Sequence, residues 1–548
     1  MKSSQWLYYL LMVLAMNGCK NKEPVDMVVV NGKVYLVDKA FSTAESFAVS
    51  DGKIVETGTT AEITGKYSSE SMIDLNGKYV FPGFNDAHCH FYGYGISLLK
   101  YADLTGTRSK EEIYKVLKVH HEKFGGEWIL GRGWDQNDWS DTSWPDKTEL
   151  DKLFPDNPVY LTRIDGHAGW CNSKTLSLAG IKASTKVDGG EVRLKNGQPT
   201  GLLIDNAESF VMRIMPVLTD EQCQNALLEA QKKCIAAGLT SVTDCGVSKG
   251  AVLLMDKLHR EGVLKIRVNA MLNPSIDNFE HFVKKGIYKT DRLNVSSVKL
   301  YIDGALGSRG ALMFEEYSDD PGNRGLQIEK QEYYDRICQL ALENRYQVAT
   351  HCIGDSGNRV MLLTYAKYLK GKNDLRWRIE HAQVIHPADF ELFGKYSVVP
   401  SIQGTHATSD MYWAEERLGP ERVKGAYANK RLLQQLGWLP NGTDFPVEGI
   451  DPLRTFYASV FRMDDKGWPQ GGWQAENALS REETLRSMTI WAAKASFEEN
   501  EKGSLEPGKR ADFVILDTDL MTAGQRQVMD AKVTGTFIAG EKVFDPEN

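Results

Sequence analysis

Cysteine is scarce in this chain: eight residues in 548, too few and too irregularly spaced for a disulfide scaffold. Long basic blocks are missing as well. Lysine and arginine total 65 against 73 aspartates and glutamates, a formal charge of −8, so nucleic acid is not an expected partner. The 49 glycines follow no G-X-Y period, which excludes collagen. Past the N-terminus no apolar run approaches the roughly 20 residues needed to cross a bilayer. What the chain does have is ordinary globular material, 42% hydrophobic and 25% charged. That is ample for a core and, at roughly 150 residues per domain, about three to four domains' worth of chain.

Residues 1–19 read MKSSQWLYYLLMVLAMNGC. Lys2 precedes an apolar run from Trp6 to Met16, too short to span a membrane and suited to a secretory h-region. Gly18 and Cys19 close it, and a small residue directly before a cysteine at that place resembles a bacterial lipobox. The expectation is a lipoprotein signal over 1–19, with cleavage before Cys19, lipidation of its thiol, and an exported protein tethered to the cell envelope by lipid alone. The competing reading is a plain signal peptide with an incidental cysteine. The other cysteines are expected as buried free thiols.

Both ends of the chain are built of short strands. Met27–Val30, Val34–Val37, Ser46–Val49, Lys53–Thr57 and Tyr79–Phe81 alternate with the turn pairs Asn31-Gly32, Asp51-Gly52 and Asn76-Gly77. Ala511–Leu516, Val533–Ile538 and Lys542–Phe544 repeat the pattern at the other end. Neither end has strands enough to stand alone, so 20–82 and 500–548 are expected to form one composite β-sandwich.

Between them, over 83–499, short apolar strands alternate with amphipathic helical stretches such as Asp220–Ala237 and Ser356–Leu369. That alternation signals βα units around a parallel sheet. Eight strands can be counted: Phe81–His90, Leu239–Asp244, Ile266–Leu272, Ser297–Ile302, Gln347–His351, Trp377–His381, Ser397–Ile402 and Gly437–Asp444. The expected fold class is α/β, a (β/α)8 TIM-like barrel, whose functional groups sit at the C-terminal strand ends. The first two strands are separated by about 150 residues, so 100–225 is expected as an insertion or lid over the barrel mouth.

The eleven histidines are ordinary in number but not in placement. His88 and His90, in PGFNDAHCH (82–90), share one face of a strand because side chains alternate, and two imidazoles on one face can share a divalent ion. Cys89 points the other way. His351 closes strand five, His381 strand six and Asp444 strand eight. Lys299, flanked by apolar residues in strand four, is costly to bury as an ammonium and should lose its charge, find a partner or be modified. His406, just past strand seven, could approach the site but is not counted among the ligands. His120, His121, His259, His281 and His386 are read as structural or solvated. On the insertion, Gly133–Trp139 could line a pocket or fill the lid's core. Arg309, after strand four, could meet an acidic substrate group or make a structural ion pair.

At these residues the chain resembles the amidohydrolase superfamily, and within it the amidohydrolase-3 group of YtcJ-like metal-dependent hydrolases. The matching stretches are PGFNDAHCH, VKLYIDGALGSRGA (298–311), HCIGDSGNRV (351–360), RIEHAQ (378–383), GTDFPV (442–447) and GSLEPGKRADFVILD (503–517), with PVYLTRIDGHAGWCNSKTL (158–176) and GQPTGLLID (197–205) in the insertion. The resemblance spans nearly the whole mature chain and implies one or two divalent ions, usually zinc. His88, His90 and Asp444 would hold the first, His351 and His381 the second. Lys299 matches the lysine that bridges the ions as a carbamate in two-metal relatives. Asp86 is expected to support a ligand rather than to act in catalysis. His167 matches a position that suggests contact with the substrate or its developing oxyanion.

The implied chemistry is attack by metal-activated hydroxide, since a metal lowers the pKa of water from about 15.7 to roughly 7. Asp444 would take the proton from the attacking water and pass it to the leaving nitrogen. The expected substrate is a small molecule with a non-peptide, amide-type C–N bond. A deaminase or another carbonyl-directed hydrolase on the same site is the alternative, and a non-catalytic envelope binding protein is a third.

Overall fold

The computed structural model describes residues 22–546. Cys19 and its signal lie outside the described residues. The centre of the fold is an α/β barrel of TIM type. Its eight parallel strands pair in chain order: β1 (Phe84–Cys89), β2 (Leu239–Val247), β3 (Arg267–Leu272), β4 (Leu293–Tyr301), β5 (Gln347–Cys352), β6 (Arg378–His381), β7 (Val399–Gln403) and β8 (Asn441–Gly442). A two-residue strand, Tyr288–Lys289, flanks β4 antiparallel.

Alternation within the strands decides what faces the lumen. In β4, Val298 and Leu300 pack with Ile302 into the large core shared with the surrounding helices, while Lys299 and Tyr301 line the cavity at the barrel mouth. The helices follow the same logic. Asp220–Ala236 starts on a capping box, Thr219 with Gln222, and buries Ala226, Leu227, Ala230 and Cys234 on one face. Closure between β8 and β1 depends on Gly442. A side-chain carbon there would stand 2.5 Å from the His88 nitrogen and 2.7 Å from Asp86 Oδ1. The seam is completed beyond the strand ends, where Asp444 N donates to the His88 carbonyl (2.7 Å) and His90 N to that of Phe445 (2.8 Å).

Two strand boundaries differ from expectation. The expected strand Phe81–His90 is two strands broken at Gly83: Tyr79–Pro82 joins a terminal sheet and Phe84–Cys89 enters the barrel. The eighth is expected over Gly437–Asp444 but pairs only at Asn441–Gly442. Gly437, at φ +83°, caps the preceding helix, and Pro440 has no N–H to give the ladder.

A six-stranded sheet joins both ends of the chain, in the order Glu541–Phe544, Val533–Ile538, Phe513–Leu516, Tyr79–Pro82, Lys33–Tyr35, Thr43–Ala44. A four-stranded sheet of N-terminal strands shares a core with it that includes Val29, Phe47, Val80, Phe513 and Phe537. A buried ion pair ties this region to the barrel. Arg267 on β3 donates from Nε and Nη2 to Asp512 at 2.7 and 3.1 Å. Burial works to raise the Asp512 carboxyl, but Arg267 overrides it and holds it below the ordinary value. The pair's contribution to stability is therefore complete above the unfolded-chain value of about 3.9 and is lost as pH falls through the depressed folded value. In denaturant titrations across pH, Asp512→Asn should be less stable than wild type near neutrality, and the gap should narrow in acid. A gap independent of pH would show that the pair does not carry this linkage.

The segment between β1 and β2 carries its own six-stranded sheet: Ala102–Asp103, Ile129–Trp134, Val159–Arg163, Ala168–Cys171, Gln198–Asp205 and Gly190–Lys195. Its core includes Leu104, Ile113, Leu117, Trp134, Trp139 and Trp170. Gly133, Asp135 and Asp138 of the same aromatic stretch line the cavity below, so that stretch does both things its sequence allows. All seven described cysteines are free thiols, six of them buried.

Candidate metal centre and active-site cavity

A cavity of about 670 Å³ lies at the C-terminal ends of the barrel strands, between them and the inserted sheet. His88 is wholly buried, behind the cavity-lining His381 and Asp444. His88, His381 and Asp444 bring one donor atom each within 4.8 Å of one another. This trio draws on both of the ligand sets that the resemblance implies. Around it stand the other expected residues. His90 Nε2 is 3.2 Å from Asp444 Oδ1, Lys299 Nζ is 3.3 Å from His88 Nε2, and the His351 ring lies 4.6 Å from that of His381. His167 reaches down from the insertion, its ring 4.8 Å from His351.

His381 owes its direction to the backbone. Arg378 and Glu380 alternate toward the lumen, so simple alternation would send His381 to the helix side. Left-handed φ values at His381 (+72°) and Ala382 (+44°) turn the imidazole inward. Asp444 is held the same way, at φ +62°. Such conformations are sparsely populated and persist where surrounding structure enforces them.

Hydrogen bonds set the tautomers. His88 Nδ1 donates to Glu380 Oε2 and His381 Nδ1 donates to Gln403 Oε1 at 2.7 Å, so each ring presents the Nε2 lone pair that a metal requires. His351 Nε2 donates to the Gly304 carbonyl at 3.4 Å, leaving its lone pair on Nδ1. Burial and the nearby Lys299 push His88 down to about 4. Burial likewise keeps His351 and His381 well below the ordinary imidazole value. Burial would raise the Asp444 carboxyl, but the imidazoles around it, His88 first, hold it well below the carboxylate range. Neutral imidazoles beside an ionised carboxylate, whose buried Oδ1 has no well-formed hydrogen bond, are a donor set suited to a divalent cation.

Glu380 is the residue at the site that carries no sequence signal to single it out. Glu380 is fully buried between Arg378 and His88: Arg378 Nε stands 2.6 Å from Oε1. His406 Nε2 lies 3.2 Å from Asp444 Oδ2 and its Nδ1 3.1 Å from Glu448 Oε1. Burial opposes protonation of His406, but these two carboxylates raise it to about 10. Its position just past β7 was the available clue. Asp86 links the barrel seam, accepting from the His88 and Thr443 amides at 3.1 and 3.0 Å and from the Thr443 hydroxyl at 2.7 Å. His167 Nδ1 donates to Asp205 Oδ1 at 2.7 Å. Burial disfavours its charge, but Asp205 lifts it to about 9. Arg309 pairs with Asp319 at 2.8 Å, the structural alternative of the two its sequence allows.

Residues 71–544 match the Amidohydrolase family. The chain belongs to that family. YtcJ of Bacillus subtilis (strain 168), an amidohydrolase by its name, is 31% identical over 526 residues, covering 94% of this chain and 98% of YtcJ. The N-substituted formamide deformylase of Arthrobacter pascens is 25% identical, covering 94% of this chain and 97% of its own. Among solved structures, a metal-dependent hydrolase from Pyrococcus horikoshii OT3 superposes with a TM-score of 0.73 at 31% identity, covering 91% of this chain and 99% of that one. The fold and family of this chain therefore agree with the resemblance carried by its strand-end motifs.

Proposed function

We propose that this amidohydrolase cleaves a non-peptide C–N bond in a small amide with the aid of one or two divalent metal ions, zinc foremost. The observation that carries the reading is the convergence of His88, His381 and Asp444, the last two of which line the cavity. The deformylase relative supports the bond type, since the name of that protein specifies an N-substituted formamide. His88, His90 and Asp444 would hold one ion, and His351 and His381 a second, with Lys299 bridging as a carbamate. A carbamate would convert a buried cation into an anion with two donor oxygens. An ion held there supplies Lewis acidity, polarising the carbonyl and making water nucleophilic near neutral pH.

The chain's own residues do the rest. Asp444 accepts a proton from the attacking water and returns it to the nitrogen as the C–N bond breaks, so that an amine and a carboxylic acid leave, the acid ionising in solution. His406, braced by Glu448, holds the Asp444 carboxylate in place through Oδ2. His167, kept protonated by Asp205, is placed to donate to the oxygen on which negative charge develops. The inserted sheet closes over the site and limits access of bulk water. The same reading takes both terminal segments as one sandwich and Cys19 as the lipid attachment of an exported protein.

The test is made on protein purified from a membrane fraction. It measures metal by elemental analysis, the mass of the mature N-terminus, and amine release from N-formyl, N-acyl and cyclic amides. Stoichiometric metal and amide turnover are expected. Protein without stoichiometric metal, or metal-loaded protein that releases ammonia from aminated heterocycles and leaves amides intact, would overturn the hydrolytic assignment.

A further inference from the structure

Four arginines stand at or beside the cavity, and three of them are ion-paired. Arg163 is enclosed by Asp135, Asp165 and Gln136. Arg309 and Arg417 both pair with Asp319. The fourth, Arg132, lines the cavity from the inserted sheet. Its single hydrogen bond to protein runs from Nη2 to the Ile164 carbonyl at 3.0 Å, and its buried Nε has no partner. Among the described residues no carboxylate makes an ion pair with it. The anions that act on it from a distance, Asp165, Asp444 and Glu208, are engaged by Arg163, by the site imidazoles and by Tyr160.

A guanidinium held partly out of water without a counter-ion is costly, and the cost is offset when a planar two-oxygen anion accepts from its fork. The local backbone leaves room for that anion. Gly166, at φ +75°, carries no side chain beside the fork; a carbon there would stand 3.7 and 3.8 Å from Nη1 and Nη2, in ordinary van der Waals contact. The ring of the next residue, His167, lies 4.8 Å from that of His351, so an anion on Arg132 would sit within a small molecule's length of the candidate metal centre. A phosphate dianion would need more donors than one fork, and the surrounding carboxylates would repel its second charge.

We propose that Arg132 binds a carboxylate on the substrate, so that the amide cleaved here is borne by an acid, of the N-acyl amino acid kind. The proposal rests on the amide-hydrolase reading above and adds the substrate's charge.

Its test pairs N-formyl-leucine with N-formyl-leucinamide, which differ only in that charge. Turnover of both is measured on the metal-loaded enzyme and on Arg132→Gln and Arg132→Lys. Binding of the matching N-methanesulfonyl pair, which cannot be hydrolysed, is measured by calorimetry on the same proteins. Wild type should favour the acid by about tenfold or more in kcat/KM and in affinity. Arg132→Gln should remove that preference, and Arg132→Lys should restore part of it. A wild type that treats the pair alike overturns the proposal without any variant. So does a preference that survives Arg132→Gln, which would place the carboxylate on the metal instead. If neither formyl compound is hydrolysed but the sulfonyl acid still binds through Arg132, the hydrolase reading fails and the carboxylate site stands.

Discussion

Replacing Asp444 by asparagine should lower kcat by about 10²- to 10⁴-fold, the range general acid–base groups supply, with KM changed far less. Asparagine keeps the shape and one acceptor oxygen but cannot carry a proton between water and the leaving nitrogen. The surroundings make this residue hard to replace. Oδ1 faces His90 Nε2 at 3.2 Å and His88 Nε2 at 3.6 Å, and Oδ2 faces His406 Nε2 at 3.2 Å. No other ionised carboxylate among the described residues sits between those imidazoles. Metal content should be measured on the same preparation, because loss of turnover with metal retained isolates the proton-transfer role. Turnover within a few-fold of wild type would remove Asp444 from that role.

The second large effect is expected at Glu380. Its carboxylate is fully buried and bridges two partners, Arg378 Nε at 2.6 Å through Oε1 and His88 Nδ1 through Oε2. Burial would raise the carboxyl, but Arg378 overrides it and keeps Glu380 ionised, well below the ordinary range. Removing one member of such a pair leaves the other charge uncompensated. Glu380→Ala should therefore cost about 3–5 kcal/mol in denaturant unfolding. Arg378 would retain only the Ala87 carbonyl and the Ser401 hydroxyl, at 2.7 and 2.8 Å. Glu380→Gln keeps an acceptor for the His88 ring and should fold better, but metal affinity should still fall about 10- to 100-fold, as when a partner that orients a ligand is lost. Unchanged stability and unchanged metal affinity together would mean that Glu380 orients nothing.

Much of this arrangement is legible in the sequence because period-two alternation and strand order are local signals. Alternation by itself puts His88, Lys299 and His351 on the lumen side of their strands. The candidate ligands that alternation cannot orient are His381 and Asp444, whose inward direction comes from left-handed backbone at the strand ends. Glu380 escapes notice for a different reason. A glutamate between an isoleucine and a histidine looks like any strand residue until Arg378 and His88 are found on either side of it. The insertion is visible as a gap in the strand count, but its sheet mixes parallel and antiparallel pairings that no short motif announces. Arg132 and Arg309 are equivalent as letters; only the presence of Asp319 beside one and of no paired carboxylate beside the other separates them.

The sheet that joins both ends of the chain has a consequence for biosynthesis. Tyr79–Pro82 is a central strand whose antiparallel neighbour is Phe513–Leu516, more than four hundred residues later. At the roughly 5–20 residues per second of ribosomal synthesis, the edge of Tyr79–Pro82 waits tens of seconds for its partner. Through that interval its backbone donors and the apolar Val80 and Phe81 are open to pairing with another nascent chain. A chain of this topology therefore cannot close that sheet until its last strands emerge.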